Sequence, residues 1–194
     1  MIEILPLTPD RLSDWMSLFD HTAFTDNPDW ASCYCQFYLA DHTAKDWETR
    51  SGNENRSASS VSIVTGKLQG FMAFTDDIPI GWCHAAPRTL IPNLQTEPEL
   101  DVDDLQEVGS IVCYIVAPRF RRQGVARELL EAACTGLQEQ GLSIAEAYPR
   151  KDAASDASNY HGALSMYLDS GFEVFRELER VIVVRKTLNP TSGN

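Results

Sequence analysis

Apolar positions along this chain alternate between two periods, and the changes of period outline its elements. The start, IEILPL (2–7), has the apolar, β-branched character of a first strand. Thr8 and Pro9 then have the chemistry of a helix N-cap and a first helical residue, and Leu12, Trp15, Met16 and Phe19 recur at helical spacing. Residues 26–50 are rich in aromatics without a clean period, which predicts a second, irregular helical region. ENRSASSVSIVTGK (54–67) reads as a short helix, and residues 69–87 as a hairpin turning at Asp76 and Asp77.

The second half is more regular. Prolines followed by acids over 88–109 predict a surface loop. SIVCYIVAP (110–118) is apolar on both alternating faces, so it is expected to be a central strand covered on both sides. Ala126, Leu129, Leu130, Ala133 and Leu137 form a helical stripe, with Gly141 where a C-cap belongs. SIAEAYP (143–149) is a further strand, KDAASDASN (151–159) a polar loop, and YHGALSMYLDSG (160–171) a short helix. Residues 172–188 supply two closing strands, and 189–194 read as a flexible tail. With no repeat and no linker, the expectation is one α/β domain over 1–188.

Composition narrows the partners. The net charge of −12 argues against a nucleic-acid surface and is compatible with a cationic substrate. No apolar run is long enough to span a membrane, and the first residues lack a basic-then-apolar leader, so the protein is read as cytoplasmic. The five cysteines, an odd count, suit reduced thiols better than a disulfide framework. Cys33 and Cys35 with His42, or with Cys83 and His84, can be drawn as a zinc site. A C-x-C pair without a second well-spaced pair makes no such site, and no metal is expected. The two thiols then line the inner side of a substrate pocket or pack the core.

The most informative corner is RRQGVA (121–126), which joins an apolar strand to an amphipathic helix. Glycine admits a ligand close to the backbone, and free N–H groups at a helix start attract an anion. The string is neither GxxxxGK[ST] nor GxGxxG, so it is no nucleotide P-loop and no dinucleotide fingerprint. The same segment mimics a helix-turn-helix, but the acidic balance and the strand before it oppose DNA binding.

With its strand and helix, this corner resembles the pyrophosphate loop, [QR]xxGx[GA], of the GNAT superfamily of acyl-CoA N-acyltransferases. Val116, Pro118 and Phe120 fit the residues typical before that loop. ALSMYLDSGFE (163–173) resembles the family's second signature, A-x-x-x-Tyr-x-x-x-Gly-Phe, and GWCHAAP, EAYP and CYCQF resemble segments of one bacterial branch. The resemblance covers about residues 1–188. It implies an α/β (α+β) fold with a mixed, mostly antiparallel sheet of about seven strands, flanked by helices and containing one splayed strand pair.

The resemblance also implies chemistry. Acetyl-CoA is the implied co-substrate, its pyrophosphate held by Arg121, Arg122, Gln123, Gly124, Val125 and Ala126 and its pantetheine arm by backbone near Ile115 and Val116. A primary amine, small-molecule or peptide, would attack the thioester directly in a ternary complex. Tyr167 occupies the proton donor's place in the second signature; its other reading is a core aromatic. Where some relatives place a basic glutamate this chain has Ser110, which keeps a non-catalytic acyl-CoA sensor as the alternative function. Glu146 is a base raised by burial or a structural carboxylate paired with arginine. His84 is a base or a hydrogen-bonded strand histidine, and Glu107 a base acting through water. The carboxylates at 97, 99, 101, 103, 104 and 107 are expected near the acceptor's entrance, or simply on a solvated loop. A homodimer is compatible with all of this.

Overall fold

The computed structural model describes residues 1–156 and 158–188, so the expected tail lies outside the described residues. Seven strands, β1 (Glu3–Pro6), β2 (Gly70–Thr75), β3 (Ile78–Pro87), β4 (Val108–Val116), β5 (Ile144–Ala147), β6 (Glu173–Glu177) and β7 (Ile182–Thr187), build one sheet. Their order is β1-β2-β3-β4-β5-β7-β6. All neighbours are antiparallel except β4 and β5. The helices are α1 (Leu12–Ser17), α2 (Gly52–Val64), α3 (Pro92–Gln95), α4 (Val125–Glu139) and α5 (Leu164–Asp169).

The period-2 alternation of β2 shows how both faces are covered. Phe71 and Ala73 face Leu129, Ala133 and Leu137 of α4, while Met72 and Phe74 face Trp15, Leu18, Phe19 and Ile63 from the α1 and α2 side. Asp76 and Asp77 close the hairpin with φ of +48° and +61°, as a two-residue turn requires. Between Ile111 and Cys113, β4 carries one extra residue, Val112, relative to β3. Such a bulge bends its strand. β5 pairs with β4 only from Val108 to Ile111, and beyond that point the two strands part.

Two expectations need correction. Thr8 does not cap the backbone: its hydroxyl accepts from Arg11 Nη1 at 2.8 Å, and the chain enters α1 through a 3₁₀ turn, Pro9–Arg11. The 88–109 segment is not all surface, because Ile91 and Leu94 are buried. The physical reason is Arg88, itself 1% exposed, whose guanidinium donates to the carbonyls of Leu94 and Leu100 and folds the segment around itself.

The same guanidinium locks the sheet below the parting strands. Arg88 Nη1 donates to Glu146 Oε1 at 2.7 Å, and Arg185 Nε donates to Glu146 Oε2 at 2.7 Å. Tyr148 Oη donates to Glu146 Oε1 at 2.5 Å and bonds Ser110 Oγ at 2.8 Å, and Arg185 also takes Asp104 in a two-pronged contact. Breaking one side of a buried charge pair strands the other, at about 3–5 kcal/mol. Arg88→Met is therefore expected to lower the unfolding free energy measured in urea by that amount, with a lower midpoint, and Arg88→Met/Glu146→Leu to recover part of the loss. An unchanged midpoint in the single variant would refute this assignment.

Candidate active site

Helix α4 starts at Gly124 with φ of +87°, a left-handed conformation strained for any side chain, and nothing lies within 4 Å of where its Cβ would be. Arg122 is also left-handed, at +59°. Val125 is turned into the core, and the Gln123 side chain donates to the Arg119 carbonyl at 2.7 Å, so both offer a ligand only their main chain. The first N–H groups of a helix have no intrahelical acceptor. Here they border a groove of about 280 Å³ bounded by residues 124–126 and by Gly162, Ala163 and Met166.

The two arginines differ in availability. Arg121 is committed: its guanidinium takes Asp26 at 2.5 and 3.1 Å, and its Nε donates to the Val116 carbonyl at 3.0 Å. Arg122 is 85% exposed and its one ion pair among the described residues is a long one, 3.7 Å to Asp156, so its charge is less committed than that of Arg121. Along β4, Tyr114 N–H donates to the Tyr160 carbonyl at 2.6 Å, which occupies part of the parted edge. Strand alternation turns the Val116 main chain the same way. Ile115 is a correction: its carbonyl lies against Gly81 of β3, so its main chain is unavailable, and only its side chain reaches a cavity wall.

That second cavity, of about 390 Å³, is walled by the rings of Phe24, Trp30, Phe37, Tyr38, Trp47 and Tyr160. Asp29 and Asp156 supply carboxylates, and Cys33, Cys35 and Cys113 supply thiols. Tyr114, Val116, Arg121 and Asp156 border both spaces, so groove and cavity meet across the open edge of β4. The wall from Ser32 to Gln36 is fastened to α2 by a buried polar stripe: Asn55 donates to the Ser32 carbonyl at 2.9 Å and Ser59 to the Tyr34 carbonyl at 2.6 Å. The aromatic density of 26–50 was the sequence signal for this wall, but Asp29, Trp30, Trp47, Asp156 and Tyr160 were not singled out as site residues.

The sequence profile described as the acetyltransferase (GNAT) family matches residues 27–172. The chain belongs to this family. A search of curated proteins finds no match. Among solved structures, the GNAT domain of S. lividans PAT superposes with a TM-score of 0.61 at 13% identity, covering 96% of this chain and 90% of that one. The PaiA N-acetyltransferase of Thermoplasma acidophilum, solved in complex with coenzyme A, gives 0.54 at 16% identity over 96% and 99%. The ribosomal-protein-S18-alanine N-acetyltransferase of Escherichia coli gives 0.54 at 14% over 100% and 98%. These likenesses establish the fold, and family membership makes the chain an acyl-CoA-dependent acetyltransferase.

Within this GNAT fold the expected catalytic side chains do not assemble. Glu146, 1% exposed between two guanidiniums, is the structural carboxylate rather than a base. Glu107 bonds Ser143 Oγ at 2.8 Å where β4 begins, and Asp104 is held by Arg185, so neither lines the cavity or the groove. The acidic loop thus borders neither space; it packs toward β6 and β7, where Arg176 takes the carbonyls of Glu99 and Asp101. His84 is fully buried and touches Cys35, with its Nδ1 3.5 Å from that sulfur, instead of forming the wall itself. No group of three or more His, Cys, Asp or Glu among the described residues is placed to hold a metal, and no described helix is long and apolar enough to cross a membrane.

Tyr167 is also placed differently from the donor the signature implies. It is fully buried, packs edge-on against Phe172 at 5.1 Å, and its hydroxyl donates to the His161 carbonyl at 2.7 Å, with burial pushing its pKa up. It lines neither space. Tyr167→Phe should therefore cost about 1 kcal/mol of stability for the lost bond while leaving kcat within about tenfold. A fall in kcat of about 10²-fold or more would restore the donor role. His161 supplies a second check, because burial holds its pKa down at about 3, against an ordinary 6.5. Between those values the unfolded chain binds a proton that the folded one refuses. Stability is then lost as pH falls below 6.5, by up to about 1.4 kcal/mol per unit. His161→Gln should flatten that part of a urea-midpoint profile measured against pH.

Proposed function

We propose that this enzyme transfers an acetyl group from acetyl-CoA to a primary amine carrying an apolar, aromatic-sized body and a positive charge. The observation that carries this reading is the continuity between a groove at a helix N-terminus and a ring-walled cavity bearing Asp29 and Asp156. Residues 123–126 hold the pyrophosphate through main-chain N–H groups, with Arg122 adding charge. Val116 offers main chain to the pantetheine arm as a partner strand would. Both substrates reach the edge of β4 together, so the amine attacks the thioester directly in a ternary complex. The rings receive the acceptor's body and attract its ammonium over their faces, while the two carboxylates attract it further.

The acceptor class is tested by acetylation of tryptamine, phenethylamine, spermidine, a lysine-rich peptide and glutamate. Arylalkylamines should lead by at least about tenfold in kcat/KM, the low end of what one methylene is worth in an apolar pocket. Asp29→Asn should raise KM for the cationic amines with little change in kcat. Gly124→Val, strained at φ of +87°, should abolish coenzyme A binding by calorimetry in a protein that still folds. Preference for glutamate, or unchanged coenzyme A affinity in that variant, would overturn the corresponding half of the reading.

A further inference from the structure

The acceptor reaches the cavity as an ammonium, and nucleophilic attack needs a base to take its proton. Neither Glu146 nor Glu107 serves, for the reasons of position given above. One cluster on the cavity wall does have the required chemistry. Cys35, 3% exposed, is among the residues that line the cavity and not among those that line the cofactor groove, which puts it on the amine's side rather than the coenzyme A thiol's. Trp82 Nε1, which can only donate, points its N–H at Cys35 Sγ from 3.3 Å, and His84 Nδ1 lies 3.5 Å from the same sulfur. Two nitrogen groups thus converge on one thiol from β3.

Two further features set this thiol apart. His84 is fully buried, yet its Nε2 has no hydrogen-bond partner among the described residues. Leaving such a group unpaired costs about 1–3 kcal/mol, a cost that invites a functional explanation. Tyr34 and Cys35 also hold left-handed backbone at φ of +45° and +56°, fixed by the Ser59 contact to the Tyr34 carbonyl. That turn aims the sulfur at the β3 nitrogens.

Resting on the acetyl-transfer reading above, we propose that Cys35 is the general base of this enzyme, with His84 as the positioning residue that keeps its sulfur ionised. His84 takes the thiol proton, giving a thiolate beside an imidazolium. The thiolate removes one proton from the ammonium, and the freed nitrogen lone pair forms the new C–N bond. The C–S bond of the thioester breaks, its electron pair leaves on the coenzyme A sulfur, and a second proton from the nitrogen neutralises that sulfur. The proton on Cys35 then returns to water.

Charge supports the geometry. Burial alone would raise the Cys35 pKa, but the Cys113 thiol, the His84 charge and hydrogen bond, and the Trp82 N–H outweigh it and hold it well below the ordinary thiol value. Cys33, also on the wall but without such donors, is pushed up to about 11 by burial and by Cys35. The titratable groups facing Cys35 are His84 and Cys83 from β3, Cys113 from β4, and Cys33 and Tyr38 from its own segment.

The test combines thiol chemistry with kinetics. Carboxamidomethylation of the wild-type enzyme by iodoacetamide, read by peptide mass from pH 5.5 to 9.5, should label Cys35 before the other four cysteines, with a midpoint below that of an ordinary thiol. His84→Gln should move that midpoint upward. In tryptamine acetylation, the acid limb of kcat/KM should share the wild-type midpoint, and Cys35→Ala should lower kcat/KM by about 10²–10⁴-fold with acetyl-CoA affinity unchanged. Absent or ordinary Cys35 labelling, a Cys35→Ala variant within threefold of wild type, or an acetyl group found on Cys35 without acceptor would each overturn the base assignment. Those results leave the acetyltransferase reading intact when the wild type still turns over. A wild type that binds acetyl-CoA but acetylates none of the amines removes the acceptor reading and this inference with it.

Discussion

The fold depends on one carboxylate held between two guanidiniums inside the sheet. Glu146 ties β5 to Arg88 at the end of β3 and to Arg185 on β7, while Tyr148 and Ser110 close the link to β4. Four strands are therefore clamped at the level of Ser110. One step further along, Val112 bulges out of β4 and the strands part. The clamp holds the strands where the sheet opens: each charge of Arg88, Glu146 and Arg185 meets an opposite one, and removing any one of them would leave a buried charge unpaired.

What the opening creates is a through-connection. On the α4 side it meets main-chain donors at a helix start, a fixed array that favours negative charge without any side-chain ordering. On the other side it meets a wall of rings and thiols that, apart from Cys113 and Tyr114 of β4, no α-helix or strand supplies. That wall is irregular chain, and irregular chain must satisfy its own backbone. It does so by borrowing the polar face of α2, where Asn55 and Ser59 sit one turn apart and bond the carbonyls of Ser32 and Tyr34. A helix with a buried polar stripe is poor core material, and here the stripe positions the cavity wall.

Charge is arranged in the same economical way. Arg121 braces the loop to Asp26 and to Val116, which leaves Arg122 to face solvent beside the groove. The acidic loop whose composition pointed to substrate steering is consumed instead by Arg88, Arg176 and Arg185, while Asp29, and Asp156 beside Arg121 and Arg122, carry negative charge to the cavity. Net charge and charge runs speak for solubility and long-range attraction; which carboxylate meets a ligand is a question of position.

The sequence by itself determined what is local. The period of 2 in the strands, the helical stripe of α4, the two-residue turn at Asp76 and Asp77, and the glycine at the strand-to-helix corner each follow from interactions within a few residues, and each is found in the fold. The family signature at 121–126 belongs to the same class, because a helix start at Gly124 sets out its main-chain N–H groups along consecutive residues. Tertiary structure alone decided the rest. Glu146 lies 58 positions from Arg88, and Cys35 lies 49 from His84, so whether each is a strut, a base or a partner depends on which distant group arrives beside it. The ring wall was visible as aromatic density at 26–50, but its shape was not, since no period governs it. Tyr167 marks the limit of a motif: the residue stands where the signature puts it, and the carbonyl of His161 decides what its hydroxyl does.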